Sequence, residues 1–206
     1  MVEDHRSARR SADHRVPERT PGSGGILTQE ARRHHAVLEV DVSGARVVYP
    51  GTFDPMTRGH IDIAERAADI FGRLEVAVVR ESGKQMAFPA EERLEMVRAS
   101  LEEAGLSARV TCTLFDGLLV DYMRRSGATV YVRGLRANSD FEYEFQMQLM
   151  NRKLAPEITG IYLMPSENNM YLSSTVVKEL AAYGGCIDGL VTAAVGSALR
   201  RMFGAG

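Results

Sequence analysis

The chain has 206 residues, 45% of them hydrophobic and 25% charged, with a formal net charge of −2 at pH 7. That is enough apolar chain for one buried core, and the composition excludes collagen-like and disulfide-stapled classes. The longest apolar runs fall short of the ~20 residues a membrane helix needs, and a near-neutral balance argues against nucleic acid as the main partner. No apolar block follows the basic N-terminus as a secretory signal requires, and Cys112 and Cys186 are isolated. The expected compartment is therefore the cytoplasm, with neither a membrane nor nucleic acid as partner.

Residues 1–45 hold seven arginines, seven acidic residues, four of the five histidines and the run Pro21-Gly22-Ser23-Gly24-Gly25. They read as a disordered tail and linker, and 46–206 as the folded domain. Glu3, Asp4, Asp13 and Glu18 are too many acids for a mitochondrial transit peptide. His34-His35 lack partners at ligand spacing, so no metal site is expected. From Arg46 onward there are 18 basic and 20 acidic residues and one histidine, His60.

The domain alternates short β-branched runs with segments of helical period. A strand over 46–49 leads into Tyr49-Pro50-Gly51-Thr52-Phe53-Asp54-Pro55-Met56-Thr57-Arg58-Gly59-His60, which delivers a helix over 59–71 with Ile63, Ala67 and Ile70 on its buried face. A strand over 74–79 precedes a helix behind Pro89, which suits the first helical turn and buries Leu94, Val97 and Leu101. Strands then fall at 109–114, 129–132 and 160–164, and helices at 118–126, 141–154, 175–183 and 190–202. Phe141, Tyr143, Phe145, Met147 and Met150 are expected in core and subunit contacts. Near-continuous apolar strands imply a parallel sheet covered on both faces. The expected fold is a doubly wound, Rossmann-like α/β domain of about five strands, with ligands beyond the carboxyl ends of the strands.

Those ends carry suitable chemistry. A helix N-terminus after the first strand is an anion site by geometry and dipole; Gly51 and Gly59 allow close approach, Thr52 offers a hydroxyl and His60 an imidazole N–H. Lys84 follows the second strand, Arg133 and Arg136 flank Gly134 after the fourth, and Ser173, Ser174 and Thr175 open a helix after the fifth. Cations there suit phosphate, with arginine bidentate and lysine a mobile point charge; helix capping alone would account for one or two of the hydroxyls. No Walker or Gly-x-Gly-x-x-Gly fingerprint occurs, which removes the usual kinase and dehydrogenase readings.

Thr57-Arg58-Gly59-His60 resembles the Thr-x-Gly-His signature of bacterial phosphopantetheine adenylyltransferases in the nucleotidylyltransferase superfamily. The similarity continues through Lys84, Glu91-Glu92-Arg93, Leu118-Leu119, Arg133-Gly134-Leu135-Arg136, Asp140–Glu144 and Tyr171–Thr175 to Val177-Lys178-Glu179. The resemblance implies transfer of AMP from ATP to 4'-phosphopantetheine, giving 3'-dephospho-CoA and pyrophosphate, with Mg²⁺ carried on ATP and a homohexameric assembly. It implies His60 and Thr52 as catalytic residues. It places ATP at Thr52, Phe53, His60, Gly134, Leu135, Arg136, Glu144, Asn169, Met170, Tyr171, Leu172, Ser173, Ser174 and Thr175. Phosphopantetheine falls to Thr52, Lys84, Leu119 and Arg133. Two departures stand out: Thr175 replaces a serine, and Asn169 stands where a tryptophan is frequent. A nucleotidylyltransferase with another donor or acceptor, or a non-catalytic nucleotide-binding module, would share part of this pattern.

Overall fold

The computed structural model describes residues 44–81, 83, 85–136 and 138–204, so the expected tail, Gly44 and Ala45 apart, and Lys84 lie outside the described residues. Five strands form one parallel sheet: β1 (Val47–Gly51), β2 (Leu74–Val79), β3 (Val110–Phe115), β4 (Val130–Gly134) and β5 (Thr159–Leu163), in the order β3-β2-β1-β4-β5. Between and after them lie α1 (Arg58–Phe71), α2 (Ala90–Glu103), α3 (Leu119–Ser126), α4 (Asn138–Leu154), a 3₁₀ turn (Glu167–Asn169), α5 (Ser174–Ala182) and α6 (Ala193–Phe203). Strand order reverses between β1 and β4, and in such sheets the crevice at that point receives the ligand.

Alternation along the central strands explains the layering. Val47 and Tyr49 of β1 and Val76 and Val78 of β2 join Ile63, Ala67, Phe71, Val97 and Leu101 on one face. Their neighbours Val48 and Ala77 point the other way, to Val120 and Met123 of α3 and to Tyr131 and Ile158. A third cluster seats α6 and α5 on α2 through Met96, Val177, Val195 and Leu199, and Ser100 Oγ lies 2.7 Å from Thr192 Oγ1.

β1 runs two residues beyond the expected strand because Pro50 and Gly51 stay in register with Ala77 and Val78, and β4 likewise extends to Gly134. Ile70, expected on the buried side of α1, is exposed; Ile61, Ala64 and Ala68 pack with Ile63 and Ala67 instead. A groove of about 420 Å³ is lined by Ile70, Arg66, Asp69, Tyr162, Leu163 and Met164.

The larger correction concerns α4. Phe141, Tyr143, Phe145, Met147 and Met150 are all exposed, Phe145 by 51%, and none belongs to the core, so the expectation of core packing fails while that of subunit contacts is not contradicted. The side turned to the sheet is polar: Glu144, Gln148 and Asn151 recur at i, i+4 and i+7. Glu144 binds Arg133, Gln148 accepts from the Tyr131 hydroxyl, and Asn151 Nδ2 lies 3.3 Å from that hydroxyl. The apolar residues are thus on the outside because the inner positions are taken by partners for β4's polar side chains.

Candidate active site

The turn after β1 and the first turn of α1 form the centre. Thr57 caps α1, and His60 at the third helical position closes a capping box in which imidazole replaces the usual carboxylate or amide. The Thr57 backbone N–H donates to His60 Nδ1 at 3.0 Å, and Thr57 Oγ1 lies 2.9 Å from the same atom. A backbone N–H needs an unprotonated nitrogen, so the neutral ring carries its proton on Nε2. Burial pushes the His60 pKa down to about 4, and Arg136 and Arg133 add to the shift. At neutral pH this residue is an uncharged hydrogen-bond donor at a helix N-terminus.

Phe53 supports the imidazole from the preceding turn. Its ring meets His60 edge-on at a centroid distance of 5.3 Å and Tyr49 at 5.3 Å on another side. Phe53 has φ 46°, a left-handed conformation that costs energy for a bulky residue, and a Cβ on Gly51 would approach its ring to 2.9 Å. Gly51 is therefore a matter of space. Gly134 at the end of β4 is similar, since a Cβ there would sit 3.2 Å from Ile63 of α1.

Two cations enter from β4. Arg133 donates through Nη1 to Pro50 O at 2.7 Å, and through Nε and Nη2 to Glu144 Oε1 at 3.0 and 2.5 Å. Burial works against its charge, but Glu144 outweighs it and the guanidinium is held above its ordinary pKa. Arg136 donates to Leu172 O at 2.7 Å, joining the β4 end to the loop after β5. Tyr49, buried beneath these arginines, has its hydroxyl pKa raised by burial.

The loop after β5 is held against α1 by Asp62, whose carboxylate accepts the Ser166 N–H at 2.6 Å and Arg66 Nε at 3.2 Å. Asn169 Nδ2 donates to Ser166 Oγ at 2.9 Å, and Leu172 is buried while Met170 and Tyr171 are exposed. Ser173 Oγ caps α5 by accepting the Val176 N–H, Ser174 Oγ donates to Pro55 O at 2.8 Å, and Thr175 is exposed. Two of the three hydroxyls thus have local partners. Leu119 opens α3 half-buried against the second core cluster, and the described contacts do not join it to His60. Thr52 and Leu135 lie half-buried at the ends of β1 and β4.

Sequence reading overlooked the groups that hold these loops together. Asp54 is buried; its carboxylate accepts the N–H of Ala87 (2.9 Å) and Phe88 (2.9 Å) and the Lys178 ammonium (2.7 Å). Burial opposes its ionisation, but these donors prevail and hold its pKa below the ordinary carboxylate value. Arg93 of α2 is 1% exposed and donates to four backbone carbonyls. Its signal was available in the spacing: 90, 93, 97 and 101 form one helical stripe, which puts an arginine on the buried side.

Among the described residues no three His, Cys, Asp or Glu side chains converge as a metal cage, and no helix is long and apolar enough to cross a membrane.

Residues 48–180 match the cytidylyltransferase-like family. A phosphopantetheine adenylyltransferase of Moorella thermoacetica is 48% identical over 157 residues, covering 76% of this chain and 96% of the relative. Another, of Geotalea daltonii, is 49% identical over 156 residues, covering 76% and 95%. A crystal structure from Vibrio parahaemolyticus, provisionally assigned as a nicotinate-nucleotide adenylyltransferase, shares the fold with a TM-score of 0.55 at 17% identity, covering 76% of this chain and 91% of that one. With its histidine at the first turn of α1 and its cations at the end of β4, the chain belongs to the cytidylyltransferase-like family and, within it, to the phosphopantetheine adenylyltransferases.

Proposed function

We propose that the protein transfers AMP from ATP to 4'-phosphopantetheine, releasing pyrophosphate and 3'-dephospho-CoA. The observation that carries this reading at the site is the fixed His60 tautomer, which presents an Nε2–H donor at a helix N-terminus near Arg133 and Arg136. The nucleophile is the acceptor's own phosphate, already anionic, so no activated serine or general base is needed. Its oxygen bonds to the α-phosphorus of ATP as the bond to the bridging oxygen breaks and pyrophosphate leaves with that electron pair. Catalysis then reduces to positioning and charge stabilisation.

In this reading His60 donates to the α-phosphoryl oxygens as they gain charge, and Thr52 orients the attacking phosphate. Lys84 and Arg133 hold that phosphate and Leu119 borders the pantetheine arm. ATP lies along Thr52, Phe53, Gly134, Leu135, Arg136, Glu144 and 169–175. Asp54 and Glu144 are already bonded to Lys178 and Arg133, so the substrate is written as Mg–ATP, its ion held by phosphate oxygens and water.

Turnover with ATP and phosphopantetheine, followed by pyrophosphate release and formation of 3'-dephospho-CoA, tests the reading; CTP and other acceptors should be inert. Lys84→Ala is expected to raise the phosphopantetheine KM by about 10- to 100-fold, the loss of one charge-assisted contact, with kcat at saturation within a few-fold. A fall in kcat at unchanged KM would remove Lys84 from the acceptor phosphate.

The outward apolar side of α4, with Phe141 and Phe145 stacked at 5.9 Å, supports a homo-oligomer, for which we take the family's hexamer. Sedimentation should show a hexamer at micromolar concentration. A fully active monomer would overturn that assembly. The proposed compartment is the cytoplasm.

A further inference from the structure

We propose that Arg93 is a positioning residue for the transfer reaction: from the buried side of α2 it fixes the Thr52 peptide, and through Phe53 the setting of His60, to the connection between β2 and α2. The inference rests on the function proposed above. Its guanidinium donates through Nη1 to Thr52 O at 2.6 Å and Val79 O at 2.9 Å, through Nη2 to Arg80 O at 2.9 Å, and through Nε to Phe88 O at 3.1 Å. These carbonyls come from the turn after β1, the end of β2 and the entry to α2. A planar fork with donors at fixed angles sets the distances among all of them, which an apolar side chain of equal volume would leave free.

Two residues beyond Thr52, the Asp54 carboxylate takes the N–H groups of Ala87 and Phe88. The turn 52–54 is thus held against residues 87 and 88 at both ends, and Phe53 between the two anchors is the residue with φ 46°. A left-handed phenylalanine persists only where its surroundings over-determine it. Since its ring lies edge-on to His60, rotation of the Thr52 peptide would disturb both residues assigned to the reacting phosphates. Lysine at 93 would keep the charge but reach fewer of the carbonyls.

The test is steady-state kinetics of Arg93→Lys and Arg93→Met with each substrate varied in turn. Met123→Ala, on the opposite face of the sheet, serves as a destabilised control. Arg93→Lys should lower kcat by about 10- to 100-fold with the ATP KM within a few-fold, the effect of a misplaced reacting group, and Met123→Ala should keep near wild-type kcat. Wild-type kcat in Arg93→Lys, or an equal loss in Met123→Ala, overturns the proposal. If the Arg93 variants fail to fold, the side-chain N–H resonances of Arg93 in the wild-type protein decide: they should shift when phosphopantetheine binds, and unchanged resonances in the bound protein overturn it. A wild-type protein that releases no pyrophosphate overturns the functional reading instead, whereas wild-type turnover with an unimpaired Arg93→Lys overturns the positioning role alone.

Discussion

Replacing His60 by alanine should lower kcat by about 10²–10³, or roughly 2.7–4 kcal/mol, the scale on which the loss of one preorganised donor to a developing anion acts. ATP affinity should stay within a few-fold, because the bond strengthens chiefly as the α-phosphoryl group gains charge. The magnitude depends on the donor being ready before substrate arrives, which is what the contacts at Nδ1 provide. A near wild-type rate at saturating substrate would make the histidine a helix cap and nothing more. The same contacts set a pH dependence. The His60 pKa is about 4 in the folded chain and near 6.5 unfolded, so between these values the unfolded state binds the extra proton. Stability from this group is therefore unaffected above pH 6.5 and declines as pH falls toward 4. An NMR titration of the ligand-free protein should place the His60 midpoint near 4, well below the ordinary imidazole value of about 6.5.

Asp54→Ala should cost about 3 kcal/mol of stability, at the lower end of the range for breaking a buried ion pair because the Lys178 ammonium keeps some contact with water. Removing the carboxylate leaves the Lys178 charge and the N–H groups of Ala87 and Phe88 without their acceptor. Against a typical total of about 5–15 kcal/mol this is a large fraction, so the urea midpoint should fall clearly at unchanged slope. Because the folded Asp54 pKa lies below its unfolded value, this contribution is present above the ordinary carboxylate range and is lost as pH falls through the lowered pKa. A midpoint within experimental error of wild type would show that residues 87 and 88 are held by other means.

The sheet and the turn carrying Thr57–His60 were legible because their signals are local. Apolar runs of strand length mark parallel strands, and a Gly-His pair behind a strand marks a helix N-terminus wherever the rest of the chain goes. Arg93 and Asp54 were not legible as anchors, since their meaning depends on carbonyls and amides up to 41 residues away in sequence. The inversion of α4 was hidden for a related reason. Phe141 and Phe145 look like core until Arg133 and Tyr131 are seen to claim the inner side with Glu144 and Gln148. Ser173 and Ser174, which the resemblance assigns to ATP, serve the folded chain as cap and strap, and the cap was legible in their place at the start of a helix.

Gly51, Phe53 and His60 form a short train of touching parts, and that contact has a consequence for mutational tolerance. At Thr52, where the proposed role asks only for a hydroxyl, serine is a natural substitute. At Gly51 even one methyl group meets the Phe53 ring, and that ring abuts the imidazole. The position most sensitive to exchange in this turn is thus one that has no side chain and need never touch a substrate. A screen ranking residues by loss of activity would place Gly51 beside His60, although the two fail for unrelated reasons: one by removing a donor, the other by displacing it.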